Sequence, residues 1–132
     1  MLAPARLGST KTKFRLLYAG NDLKFIAALR QALDEAVYLL VTCADRETAM
    51  LFLKSEIPYE ALLVDFEWRK KDGLELARLA RKLRHRKRMP ILLLAGARLT
   101  RHTRGLAAKA GVQECVVKTQ DVGEVIKRVM GK

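Results

Sequence analysis

The sequence predicts an α/β fold: a parallel sheet of five strands with five helices covering both faces. Two observations predict it. Short, mainly apolar runs recur at Arg15 to Ala19, Tyr38 to Cys43, Ala61 to Val64, Pro90 to Ala95 and Glu114 to Val117; apolar on both faces, they suit strands covered by helices on both sides. Helix-length amphipathic segments lie between them, joined by short connections, and this alternation calls for parallel strands linked by right-handed crossovers.

Each element has its own justification. Residues 1–13 carry Pro4, Gly8 and Ser9 without an apolar period, and read as a flexible basic tail ahead of a domain over 14–130. The first helix, Leu23 to Leu33, places Phe25, Ala28, Leu29, Ala32 and Leu33 on one stripe. Asp45 is a plausible N-cap for Arg46 to Lys54, which stripes Ala49 and Leu53. Gly73 to Arg84 stripes Leu76, Leu79, Ala80 and Leu83. Thr100 to Ala110 is weaker because Gly105 lowers its helix propensity. The last helix, Val122 to Met130, stripes Val122, Val125, Ile126 and Val129 behind Thr119-Gln120-Asp121.

A chain of 132 residues fits one domain. The longest apolar runs, such as "ILLLAGA" from Ile91 to Ala97, fall far short of the ~20 residues that cross a membrane. The N-terminal segment lacks the apolar stretch of a signal peptide. Cys43 and Cys115 are too few for a disulfide framework and lie in apolar runs. Together these features predict a cytoplasmic protein.

The net charge of +12, from 26 Lys and Arg against 14 Asp and Glu, favours acidic partners. The densest basic block is "RKLRHRKR", Arg81 to Arg88, followed by "RLTRHTR", Arg98 to Arg104. Neither contains the aromatic residues that stack on single-stranded bases, so nucleic acid is not the expected partner and the blocks read as solvated helix ends. His85 and His102, set among arginines, read as solvated and not as metal ligands; Trp68 reads as packed on a loop.

In open α/β sheets ligands bind beyond the carboxyl ends of the strands. There the sequence places Gly20, Asn21 and Asp22 after the first strand, Asp65 after the third, Ala95 and Gly96 after the fourth, and Lys118 after the fifth. One carboxylate and one ammonium at converging strand ends make a small polar site.

The stretch "LLVDFEWRKKDGLELARLAR", with Asp65 ending a strand and Asp72-Gly73 following, resembles the receiver domain of bacterial response regulators (the CheY-like family). "MPILLLAGA" and "AGVQECVVKT" resemble that family's fourth and fifth strands, with Lys118 at its lysine position. The resemblance spans Phe14 to Met130. It implies a doubly wound, flavodoxin-like fold with strand order 2-1-3-4-5, the order for which this family is a standard example. It also implies that Asp65 accepts a phosphoryl group from a histidine kinase, that Lys118 contacts a phosphoryl oxygen, and that Mg²⁺ joins phosphate and carboxylates.

Several positions depart from the family's pattern. Receivers carry an acidic pair after the first strand. Taking Asn21-Asp22 as that pair turns Arg30 and Asp34 toward the core, whereas Gly20-Asn21 keeps the apolar stripe inward, so Gly20 and Asn21 hold the pair's positions. The hydroxyl residue after the fourth strand is Ala95, the aromatic three before the lysine is Cys115, and the proline after it is Thr119. Arg69 replaces a further proline. Metal ligands are then Asp65, Asn21 and the backbone carbonyl of Glu67, with the Asp22 and Glu67 side chains open as direct or water-mediated ligands, and Mg²⁺ is expected to bind weakly.

The residues leave two roles open for Asp65: phosphoacceptor, or a strand-end carboxylate ion-paired with Lys118. The leading expectation is a phosphorelay receiver with impaired phosphorylation, and not an enzyme. The alternative is a pseudo-receiver, a phosphorylation-independent interaction module. The receiver would meet a histidine kinase or phosphotransfer protein, and a downstream protein would meet the fourth helix, fifth strand and fifth helix, the pseudo-receiver's interaction face, where Arg98, Arg101, Arg104, Lys109 and Lys127 supply charge; homodimerisation stays open. A nucleotide or flavin binder would need a glycine-rich or hydroxyl-rich phosphate cradle, and "AGNDLKF" offers one glycine and no hydroxyl.

Overall fold

A computed structural model describes residues 13–68 and 72–130. The strands are β1 (Phe14–Ala19), β2 (Tyr38–Cys43), β3 (Ala61–Asp65), β4 (Ile91–Ala95) and β5 (Glu114–Val117). Between and after them run α1 (Leu23–Ala32), α2 (Arg46–Lys54), α3 (Asp72–Lys82), α4 (Arg101–Lys109) and α5 (Val122–Val129), with a 3₁₀ turn at Arg84–Arg86. All strand pairs are parallel, in the order β2-β1-β3-β4-β5. The fold and order are those expected. The expectations for residues 1–12 and for Arg69 lie outside the described residues.

Side chains alternate between the two faces as a strand's period of two requires. Leu17, Ala19, Leu62, Val64 and Leu93 pack with Leu53, Leu76 and Ala107 from α2, α3 and α4. Leu16, Tyr18, Leu63, Leu92, Leu94 and Val116 pack with Phe25, Leu29 and Val125 from α1 and α5. Asp22, Asp45, Thr100 and Asp121 cap α1, α2, α4 and α5, each side chain accepting a backbone N–H from the first turn.

Of the stripe expected on α1, Phe25, Leu29 and Leu33 are buried, and Arg30 and Asp34 are exposed. Ala28 and Ala32 are exposed too, lining a shallow cleft against Val122 and Gly123 of α5. Gly73 is required by packing: a Cβ there would overlap the carbonyl oxygen of Asp65, so α3 starts directly against the end of β3. That contact explains the glycine of the Asp72-Gly73 pair.

The basic block Arg81 to Arg88 departs from the solvated reading. Arg86 is 3% exposed. Its guanidinium donates to the carbonyls of Leu53 (2.9 Å), Ser55 (3.0 Å) and Ile57 (2.7 Å), closing the C-terminal end of α2, and stacks over Tyr59 at 5.2 Å. A guanidinium has five donors in a planar fork, which suits several carbonyls at once. Arg81 likewise donates to the carbonyls of Arg86, Lys87 and Gly111. Two of the block's cations are therefore internal ties. His85 is exposed, its Nε2 2.9 Å from the Ser55 carbonyl, and His102 is exposed on α4.

Trp68 also lies deeper than a loop residue would. It is 1% exposed within the α2/α3/α4 core, and its indole N–H donates to the Ala44 carbonyl at 3.1 Å.

Candidate functional site

The chain runs outward from β1 to β2 and then back across to β3, so the strand order reverses between β1 and β3 and a crevice opens at their carboxyl ends. Alternation along the strands decides what enters it. Leu16 and Tyr18 face α1 and α5, as do Ala61 and Leu63 of β3 and Val116 of β5. Two residues further on, the same face receives Gly20, Asp65 and Lys118.

Asp65, 3% exposed, is engaged at both oxygens. The Tyr18 hydroxyl donates to Oδ2 at 2.6 Å. Lys118 Nζ stands 2.7 Å from Oδ1; that oxygen receives no well-aimed hydrogen bond, and the ammonium charge is what compensates it. Lys118 also donates to Asp22 Oδ2 at 2.7 Å and lies 5.3 Å above the Phe25 ring. Asp22 Oδ1 caps α1 through the Phe25 amide, and the Asp22 amide donates to the Tyr18 oxygen at 3.3 Å. Asp65, Tyr18, Asp22 and Lys118 thus form a closed ring.

The ring's protonation states follow from its geometry. Burial and then the hydrogen bond to Asp65 push the Tyr18 phenol far above the ordinary tyrosine value, so it remains a donor. Burial works against the Lys118 ammonium, but its bonds to Asp22 and Asp65 outweigh that and leave its pKa raised. The bond from Lys118 and the Phe25 amide hold Asp22 below the ordinary carboxylate value. Two carboxylates against one ammonium give the ring a formal net charge of −1.

Gly20 is packed beneath this ring. A Cβ at residue 20 would stand 2.7 Å from the Tyr18 oxygen, 2.7 Å from Asp65 Cβ and 2.9 Å from Asp65 Oδ2. No side chain fits there in this arrangement.

No protein-family model matches the chain, and no curated protein matches it in sequence. Solved structures do match it in shape. A putative response regulator from Chloroflexus aurantiacus aligns over 92% of this chain and 100% of its own, with TM-score 0.77 and 22% identity. A CheY-like response regulator receiver domain protein from Methanospirillum hungatei aligns over 91% and 95%, with TM-score 0.76 and 21% identity. The receiver domain of a sensor histidine kinase from Pseudomonas aeruginosa, with a magnesium ion coordinated in its active-site cleft, aligns over 92% and 100%, with TM-score 0.75 and 19% identity. The chain has the receiver fold.

On the receiver fold, Asp65 and Lys118 meet as the sequence predicts. Asn21 is exposed between Gly20 and Asp22. Asp22, left open by the sequence as a metal ligand, joins the site as the second carboxylate on Lys118. The Glu67 side chain turns toward β4, its carboxylate accepting the Gly96 amide at 3.1 Å. Buried Ala95 and half-buried Cys115 leave a cavity of about 220 Å³ rimmed by Arg98, Arg104 and Gln120. The peptide before Thr119 is trans.

Tyr18 was not among the residues expected at the site. Its signal was available: a hydroxyl-bearing aromatic stands two positions before Gly20, on the same strand face. What hid it is that an apolar strand residue reads as core.

The donors suit Mg²⁺ poorly. The ion takes oxygen ligands in octahedral geometry at ~2.0–2.1 Å, typically including one or two carboxylates. Here Asp65 Oδ2 already accepts the phenol proton, both carboxylates are drawn to Lys118, and residue 20 has no side chain. Among the described residues, no three His, Cys, Asp or Glu side chains are grouped as a metal site.

Proposed function

We propose that this chain acts as a receiver module of two-component signalling, with Asp65 as a phosphoacceptor of reduced capacity. The Asp65–Lys118 pair, 2.7 Å apart at the ends of β3 and β5 of a receiver fold, carries the reading. In the transfer, a carboxylate oxygen of Asp65 attacks the phosphorus of a phosphohistidine. The P–N bond breaks, its electron pair leaves on the imidazole nitrogen, and an acyl phosphate forms on Asp65. Lys118 is placed to offset charge on the phosphoryl oxygens. Capacity is reduced because Asp65 Oδ2 accepts the Tyr18 hydrogen bond, Ala95 offers no hydroxyl, and Gly20-Asn21 stand where the acidic pair would be. Mg²⁺ is given no place in the resting site.

The partners in this reading are a histidine kinase or phosphotransfer protein, and an acidic downstream protein meeting α4, β5 and α5. Arg98, Arg101, Lys109 and Lys127 are exposed there, beside half-buried Arg104.

Incubation with Mg²⁺ and acetyl phosphate, followed by intact mass, tests the reading. A slow, incomplete gain of one phosphoryl mass that disappears in Asp65→Asn supports it; a gain that survives the substitution overturns it. No gain at any Mg²⁺ concentration would select the second reading, a phosphorylation-independent interaction module. The 2.6 Å hydrogen bond from Tyr18 favours that reading, because it satisfies Asp65 Oδ2 without any ligand.

A further inference from the structure

We propose that the Tyr18 phenol is a built-in substitute for a divalent cation at Asp65, a latch that holds the site closed without metal and controls whether cations reach the carboxylate. The inference rests on reading Asp65 as the acceptor position of the fold, and it assigns Tyr18 as a positioning residue for that site.

Three observations carry it. The phenol delivers a proton to Asp65 Oδ2 at 2.6 Å, occupying the one oxygen of Asp65 that Lys118 leaves available. A charge-assisted O–H bond of this length is strong, and a cation approaching Oδ2 must displace it. The phenol is itself fixed from behind by the Asp22 amide, which donates to its oxygen at 3.3 Å and holds the hydroxyl in place against Asp65.

The third observation is the fit between Tyr18 and Gly20. The space a side chain at residue 20 would take is filled by the Tyr18 hydroxyl and by Asp65 itself. A tyrosine at 18 and a carboxylate at 20 therefore exclude each other in this backbone, and the missing acid and the added phenol are two sides of one arrangement. Asp22 completes it: one of its carboxylate oxygens is taken by Lys118 and the other by the Phe25 amide of α1.

The test is a Mg²⁺ titration followed by amide NMR of the whole chain, wild type against Tyr18→Phe and Tyr18→Val. Tyr18→Phe keeps the ring in the α1/α5 core and removes only the donor; it carries the test if Tyr18→Val fails to fold. In the wild type the amides of Gly20, Asn21, Asp22, Phe66 and Glu67 should show no saturable shift in the range where the variants saturate. The variants should bind the cation more tightly by roughly tenfold or more, the scale of one hydrogen bond to a charged acceptor, and Asp65→Asn added to either should abolish the response. Wild type binding as tightly as the variants overturns the latch, as does a folded Tyr18→Phe that stays unresponsive.

Acetyl phosphate separates this result from the phosphoacceptor reading. A cation response in Tyr18→Phe with no Asp65-dependent mass gain in any form removes that reading and leaves the latch. A mass gain in wild type with no cation response in the variants removes the latch alone.

Discussion

The Tyr18 oxygen and the position of an absent Gly20 Cβ are 2.7 Å apart, so the two residues share one volume at the end of β1. Asp65 sits against both. The site is shaped by what a glycine leaves out as much as by the side chains it holds.

Gly20→Ala should therefore destabilise the domain by about 1–3 kcal/mol, the usual range for overpacking. Part of that loss should be recovered in Tyr18→Phe, which removes one of the two closest contacts. Urea unfolding of the double-mutant cycle measures it, and additive changes would show that residues 18 and 20 do not share the space.

The tyrosine makes alkaline stability a readout of the ring. Its phenol is pushed above the ordinary value of 10.0, chiefly by burial and next by the Asp65 bond. A raised folded-state pKa gives stability that is complete below the unfolded value and declines as pH rises past it. Wild type should lose stability above about pH 10 more steeply than Tyr18→Phe. Lys118, also raised, titrates in both proteins and cancels in the comparison.

Asp22 gives the opposite sign. Its carboxyl is depressed by Lys118 and the Phe25 amide, so its contribution is present above the unfolded value of 3.8 and declines as pH falls below it. Asp22→Ala should cost about 1 kcal/mol at neutral pH, as loss of an N-cap does. The gap between the two proteins should narrow in acid, which urea midpoints across pH will check.

Arg86 separates the internal cations from the surface ones. Arg86→Met leaves the buried carbonyls of α2's C-terminal end without their donor and should cost about 2–4 kcal/mol, since each unsatisfied buried acceptor carries a penalty of roughly 1–3. Exposed Arg88→Met should stay within about 0.5 kcal/mol. Thermal or urea unfolding of the two variants decides between an internal tie and a solvated helix end.

Much of this molecule is legible in its sequence. The apolar runs mark the strands within a residue or so at each end, because a strand covered on both faces must be apolar throughout. The α1 stripe was partly legible too: Arg30 and Asp34 need water, and the structure leaves both exposed while Phe25, Leu29 and Leu33 are buried. Asp65 and Lys118 were legible because strand-end positions in a parallel sheet converge on one edge.

The rest depended on contacts between distant segments. Nothing local distinguishes Arg86 from Arg88; burial of one follows from where α2 ends, about thirty residues earlier. Asp22 reads as an N-cap in sequence, and only the approach of β5 places Lys118 on its second oxygen. Tyr18 is an apolar-run residue until β3 sets Asp65 beside it. Sequence by itself determined the elements, their order along the chain and the two charges that meet; the tertiary structure decided that a phenol stands on Asp65, because only the packing of β1 against β3 brings the hydroxyl, the glycine and the carboxylate into one space.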